Sequence, residues 1–420
     1  MAYKTKIIKL DDTGERAILI VDGIGLPVDL PSRYLLGKRE TLATQTVLNL
    51  GKNICQLYYW ADENSCDIYE RIRSGYVFGI TEIDSLFKYL ALNRRQVVNQ
   101  KATDNNVTAF AGYVSGSMLS QKIDAITGFL SWLGELAVEH RHITDPYYAA
   151  IRPAMVDLKE QLNARKVKSV VKPRIGLDDK QQSFLLKVIE PDASLNPFDK
   201  RTRERNYLII KILLTCGVRL GELLALKNEN CHLNGDEPYL YFGHNITKEN
   251  DPRKMPPDAK TVGRRIYITK NIAAEIDLYI NTVRKVRGRA ARKAASYLFL
   301  NTNIKPAPMT EGAVYHFIGA LRSKFPELAD LHPHRLRHTF NDNLVIMFAD
   351  SMQEEEFLKL QRWLNGWADD SHEGGTYTHR SEQLRGQRCL IMMQENIIKG
   401  NFQPQSMKLS DEPIYEDIPF

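Results

Sequence analysis

At 420 residues the chain exceeds what one hydrophobic core ordinarily supports, so two or three domains are expected. Hydrophobic residues make up 43% and charged residues 26%, which excludes a disordered or low-complexity polymer and predicts a packed fold. The formal net charge of +6 is too small to identify a polyanionic partner, so local charge must carry that argument.

Five cysteines (Cys55, Cys66, Cys216, Cys231 and Cys389) are odd in number, widely spaced and free of any CxxC pair. They exclude a disulfide framework and read as reduced intracellular thiols. The start MAYKTKIIKLDD has no apolar signal-peptide stretch, and nowhere does the chain run to about 18 consecutive apolar residues. A cytoplasmic protein without a membrane partner is expected.

Residues 1–40 alternate loosely, as in KTKIIKL and RAILIVDG around a DDTGE turn, and predict a small β-hairpin or cap. From 41 to 161 the period is helical. TQTVLNLGKNICQLYYWADE places Val47, Leu50, Ile54, Leu57 and Tyr58 on one face, and ITEIDSLFKYLAL and LSQKIDAITGFLSWLGELAVEH repeat the pattern. Trp60 and Trp132 in this helical domain are core residues rather than base-stacking groups. The basic, proline-containing stretch NARKVKSVVKPRIG within 162–176 lacks amphipathic period and reads as an interdomain linker.

A second, mostly helical domain is expected over 177–395. Helical patterns at 178–190 and 203–215 lead to a turn at Thr215-Cys216-Gly217. Arg219 then opens a helix whose Leu220, Leu223, Leu224 and Leu226 form the buried stripe. The segments YLYFGHNI and GRRIYIT predict an antiparallel hairpin around an oversized polar loop, KENDPRKMPPDAKTV. Further helices are expected at 271–287, 310–323, 334–348, 354–364 and 376–398, and residues 396–420 form a tail. The chain has no internal repeat. NTVRKVRGRAARK, residues 281–293, carries six basic residues and no acidic one, and suits either a solvated helix face or a polyanion contact.

Several polar residues of this second domain invite chemistry. Arg219 follows a glycine turn and can project from a helix end; the plainer alternative is a surface pair with Glu222, worth only tenths of a kcal/mol. In HPHRLRHTF, helical spacing places His334, Arg337 and His338 on one face, with Pro333 at the helix start. Arginine offers a planar, permanently charged fork suited to phosphate oxygens, and histidine exchanges a proton near neutral pH. A metal site at His332, His334 and His338 is disfavoured by the neighbouring Arg335 and Arg337 and by the lack of a further ligand. Tyr377 follows Gly374-Gly375 and by type alone reads as a core or interface residue.

Taken together, these motifs resemble those of the tyrosine recombinase (phage integrase) family. Gly217, Arg219 and Glu222 match its glycine turn, arginine and glutamate; His334 to Thr339 match its His-x-x-Arg-His-Thr segment. Gly366-Trp367 and Tyr377-Thr378-His379 match its Gly-His or Gly-Trp pair followed by Tyr-x-His. The three motifs occur in family order over some 160 residues, and the resemblance covers roughly Leu177 to Met393. Trp367 departs from the commoner histidine and supports the site by packing and one indole N–H; His372 fits that role less well by spacing. The family's general-acid lysine on a β-hairpin corresponds to Lys260, with Lys248 as the alternative.

The resemblance implies a mainly α fold with a small antiparallel sheet. A helical core-binding domain and a catalytic domain would form a clamp on DNA. It implies a site-specific recombinase or integrase acting on double-stranded DNA that carries a specific recombination site, through a 3′-phosphotyrosine on Tyr377. Arg219 and Arg337 would hold the phosphate, Lys260 would protonate the leaving oxygen, and His334 would assist proton movement. No metal or other cofactor is implied, because the covalent link conserves the phosphodiester. A homotetramer on synapsed DNA, a tail docking on a neighbour and accessory proteins follow from the same resemblance. The alternatives are a type IB topoisomerase-like relaxing enzyme and a DNA-binding accessory protein with a vestigial site.

Overall fold

The computed structural model describes residues 2–10, 13–93, 112–167, 176–243, 251–257, 263–291, 296–348, 352–366 and 389–401. The chain divides into two compact units, Met1–Lys172 and Pro173–Phe420.

In the first unit, β1 (Lys4–Lys9) and β2 (Arg16–Val21) pair antiparallel in the register Lys4↔Val21 to Lys9↔Arg16. The hairpin is part of the core. β2 is buried along nearly its whole length and packs on α1 (Asp29–Arg39) and α2 (Thr44–Glu63). α3 (Ile68–Arg73) and α4 (Ile80–Ala91) follow. The longest helix, α5 (Gly116–Val138), touches α1 to α4 and also α6 (Pro146–Ala164). Ser115 caps α5 by accepting the Met118 N–H, and Asp145 with Pro146 starts α6. Leu119, Ile123, Ile126, Leu130 and Leu133 recur on the buried face of α5 at the spacing an amphipathic helix requires. On α2, Val47, Ile54 and Leu57 are buried as expected, whereas Leu50 and Tyr58 are only half-buried. Trp60 is buried in the core; Trp132 is half-buried and stacks on Phe129 with centroids 6.2 Å apart.

The second unit is built around α8 (Arg203–Cys216), which is buried all round from Leu208 to Cys216 although it carries the polar Arg205, Asn206, Lys211 and Thr215 into the interior. Against it pack α7 (Asp179–Ile189), α10 (Lys270–Asn281) and α13 (Pro333–Phe348). The short α9 (Leu220–Ala225) leads to a three-stranded sheet of β3 (Cys231–His232), β4 (Tyr239–Phe242) and β5 (Arg264–Tyr267), in the order β3-β4-β5. β4 and β5 pair from Tyr239↔Tyr267 to Phe242↔Arg264. β3 was not expected from the sequence: two residues are too short to show alternation. The remaining helices are α11 (Val283–Ala291), α12 (Glu311–Lys324), α14 (Glu354–Asn365) and a helix over 389–398. The chain is thus mainly helical, with small antiparallel sheets.

Three local expectations need correction. Leu220 is half-buried, so the stripe of α9 is Leu223, Leu224 and the flanking Leu226. The single helix expected over 271–287 is broken at Thr282 (φ −109°, ψ −100°), where the main-chain N–H and the hydroxyl both donate to the Leu278 carbonyl, at 2.9 and 2.6 Å. That break turns Arg284, part of the basic run, into the core, where it donates to the carbonyls of Tyr297 and Leu298. The loop between β4 and β5 is likewise not uniformly solvated. Asp251 and Arg253 form a buried pair, and Arg253 Nη1 donates to the carbonyls of Leu224 and Met309 at 2.9 and 2.8 Å.

Candidate active site

The site begins where α8 ends. Gly217 takes the left-handed conformation (φ 62°) that closes a helix, and a Cβ there would stand 2.2 Å from Cδ1 of Phe340 on α13. Only glycine lets the chain turn this close to α13. Arg219 then caps α9. Its main-chain N–H donates to Glu222 Oε2 at 2.7 Å, so the carboxylate takes the backbone amide of Arg219. The Glu222 side chain pairs instead with Arg264 of β5, which donates through Nη1 at 2.8 Å and Nη2 at 3.2 Å. The i, i+3 surface pair is therefore not what forms. Both members of the Glu222–Arg264 pair are buried, and Arg264 Nε also donates to the Leu364 carbonyl at 3.0 Å. Strand alternation places Arg264 on the face of Ile266; an inward-facing arginine is the sequence signal that could have revealed it.

α13 carries His334 and Arg337. His332 caps this helix, its Nδ1 accepting the Arg335 N–H at 3.1 Å, which gives it a structural role distinct from metal ligation. Burial, followed by the charge of Arg335, holds the His332 imidazole below the usual histidine range. His334 is exposed, one turn from half-buried His338, and the two rings meet edge to face with centroids 4.4 Å apart. The chain enters this unit directly onto α13. The Gly176 N–H donates to Asp342 Oδ2 and the Leu177 N–H to Thr339 Oγ1, both at 2.8 Å, while Arg335 Nη2 donates to the Gly176 carbonyl at 3.2 Å. A Cβ on Gly176 would lie 2.6 Å from the Thr339 Cα, so this approach too requires glycine.

Arg337 is 4% exposed. Its Nη1 donates to the Gly217 carbonyl at 2.6 Å and its Nη2 to the Asn365 carbonyl at 2.9 Å. Arg219 Nη1 reaches the same Asn365 carbonyl at 3.3 Å. Two guanidiniums separated by more than a hundred residues in sequence thus converge on one oxygen at the C-terminus of α14, where the helix dipole favours cations. Burial, then the like charge of Arg219, push the Arg337 guanidinium down to about 9; Glu222 opposes this and Arg264 adds to it. Three guanidiniums surround a single carboxylate, and an incoming anion would offset the surplus. Cys216 supplies no rival nucleophile, because burial pushes its thiol up to about 12.

The structure therefore brings together Arg219 and Arg337, with His334 on the helix that carries Arg337. Lys260, its alternative Lys248, Trp367, His372 and Tyr377 lie outside the described residues, as do most of the linker and the tail beyond 401. Spacing alone did not reveal Arg264, Asn341, Gln361 or Asn365, which join the arginines to the surrounding helices.

A family model described as the phage integrase family matches residues 177–383. The tyrosine recombinase XerC of Bacillus licheniformis is 27% identical over 155 residues, 37% of this chain and 45% of that relative, so the match spans less than half of its length. XerC of Staphylococcus aureus (strain USA300) is 22% identical over 277 residues, 65% of this chain and 74% of the relative. Among solved structures, the Tn1549 transposon integrase in complex with circular intermediate DNA is 14% identical, with 85% of this chain and 98% of that one covered and a TM-score of 0.44. Lambda integrase bound to DNA is 15% identical, with 85% and 95% covered and a TM-score of 0.40. No helix among the described residues is long and apolar enough to cross a membrane.

Proposed function

Because the chain belongs to the tyrosine recombinase (phage integrase) family, we propose that it cuts and rejoins double-stranded DNA at a specific site through a 3′-phosphotyrosine intermediate. The observation that carries this reading is the convergence of Arg219 and Arg337 within a buried, cation-rich corner that leaves His334 exposed. The oxygen of Tyr377 attacks phosphorus, the bond from phosphorus to the 5′-oxygen breaks, and Lys260, with Lys248 as the alternative, protonates the departing oxygen. Arg219 and Arg337 hold the non-bridging oxygens and stabilise the added charge of the pentacoordinate transition state. A phenol ordinarily titrates near pH 10, so their field also favours attack, while His334 assists proton movement and Trp367 packs against the site. A 5′-hydroxyl from a second strand reverses the step and completes exchange.

The helical N-terminal unit serves as the core-binding domain in this reading, and both units contribute to the hold on the duplex. Lys285 and Arg289, exposed on α11, supply backbone contacts, whereas Arg284 is structural. Four protomers on two duplexes, a tail from 396 to 420 docking on a neighbour, accessory proteins and a cytoplasmic setting complete the proposal.

The test is a nicked suicide duplex whose site is selected from a random library by binding to the full chain. On a denaturing gel the native protein should yield a protein–DNA adduct and Tyr377→Phe none. An adduct that survives Tyr377→Phe rules out this nucleophile, and complete cleavage without any adduct rules out the mechanism.

A further inference from the structure

Each guanidinium of the site is held by a carbonyl that no helical N–H can satisfy. The carbonyl of Asn365 is the last of α14, and Gly366 (φ 61°) turns the chain away immediately afterwards. Such a carbonyl is not aimed by the helical ladder. Its direction depends on how Asn365 itself is fixed.

The Asn365 side chain is fully buried and engaged on every side. Its Nδ2 donates to Asn341 Oδ1 at 2.7 Å and to the Gln361 carbonyl at 2.8 Å, and its Oδ1 accepts from Asn341 Nδ2 at 3.1 Å. Gln361 Nε2 donates to the same Asn341 Oδ1 at 3.1 Å. Asn341 lies one turn beyond Arg337 and returns Nδ2 to the Arg337 carbonyl at 2.9 Å. Leucines would fill this space without desolvating any amide, so a satisfied polar network here contributes orientation rather than burial. It ties α13, which carries Arg337, to α14, which presents the carbonyl.

We propose that Asn365, Asn341 and Gln361 form an amide clamp that positions Arg219 and Arg337 through the main-chain carbonyl of Asn365. All three are positioning residues; none touches the DNA. Each guanidinium has five N–H groups; Asn365 takes one from each, the Gly217 carbonyl takes a second from Arg337, and those that remain are left for the two non-bridging oxygens of one phosphate. The proposal rests on the recombinase reading for its DNA arm, but not for its anion arm.

The experiment uses the full chain with Asn365→Leu, which keeps the carbonyl and removes the amide, and with Gln361→Met, which removes one outer hydrogen bond. Single-turnover cleavage, duplex affinity and the rise in Tm caused by inorganic phosphate are measured for each. Asn365→Leu should keep duplex affinity within about two-fold and lose about 10²-fold in cleavage rate, the effect of ångström-scale misplacement. It should also lose the phosphate-dependent rise in Tm. Gln361→Met should move both in the same direction by less, and carries the test alone if Asn365→Leu does not fold. Unchanged cleavage, or affinity and cleavage falling in equal proportion, overturns the clamp. If the native chain forms no adduct the recombinase reading fails, yet the phosphate arm still decides. A native phosphate response that survives in both variants, or is absent from the native chain, overturns the proposal.

Discussion

Both units bury cations against main-chain carbonyls, Arg16 and Lys122 in the first and Arg205, Arg284 and Arg337 in the second, but among the described residues only the second buries whole ion pairs. In Met1–Lys172 the ion pairs are exposed or half-buried: Arg73–Glu70, Arg152–Glu135 and Lys166–Asp124 are substantially exposed, and Arg71–Glu82 and Arg141–Asp145 are half-buried. Its core is aromatic and aliphatic, with Tyr34, Phe129 and Trp132 in mutual contact and Trp60 against Phe78. Pro173–Phe420 has exposed pairs too, such as Lys270–Asp236 and Arg201–Asp199, but it also places two pairs inside. Arg253–Asp251 and Arg264–Glu222 are almost wholly buried, and Arg205, Arg284 and Arg337 bind main-chain carbonyls in the core. Buried ion pairs add little net stability over apolar packing, because desolvation cancels most of the attraction. What they secure in the second unit is the placement of α9, α13, α14 and β5 around two guanidiniums.

This contrast can be broken at its strongest point. Glu222→Ala leaves Arg264 buried without its carboxylate and should destabilise the chain by about 3–5 kcal/mol in urea unfolding. A loss well under 1 kcal/mol would mean that the pair is not the keystone described here. A smaller effect is expected from anions. At pH 7 Arg337 is charged and bears the full cost of burial, so phosphate at ten times its Kd should stabilise the protein by about 1.4 kcal/mol, and Arg337→Ala should abolish the gain. The sign with pH follows from the lowered guanidinium. As pH rises through about 9 the folded state releases its proton before the unfolded state does. The anion-free protein then recovers stability while the phosphate effect fades. A phosphate effect that grew above pH 9 would contradict this. The smallest effect belongs to the first unit: Arg152→Ala, removing an exposed pair with Glu135, should leave the urea midpoint where it was.

The legibility of the sequence follows the same division. Helices recorded by local periodicity were readable to within a residue or two, as at Arg203–Cys216, Glu311–Lys324 and Glu354–Asn365. Gly217 was readable as a turn because left-handed backbone has a sequence signature, and its neighbour Arg219 could be singled out on that account. The break at Thr282 was not, since a threonine hydroxyl satisfies a carbonyl in a helix or beside one. Nor could spacing show that Glu222 would take Arg264 rather than Arg219, because that choice depends on a strand forty-two residues away. Asn365 is the clearest case. Read alone it is a polar residue at a helix end; its meaning comes from Arg219, 146 positions earlier, and Arg337, 28 positions earlier, meeting its carbonyl.

The central claim is that phosphoryl transfer passes through Tyr377 under the hold of these arginines. The most direct measurement is mass spectrometry of the covalent adduct trapped on a suicide duplex, digested with protease and nuclease. The account predicts a single peptide containing residues Thr376 to Arg380 with a nucleotide 3′-phosphate on the oxygen of Tyr377. A nucleotide carried by any other side chain, or attached through a 5′-phosphate, would contradict it.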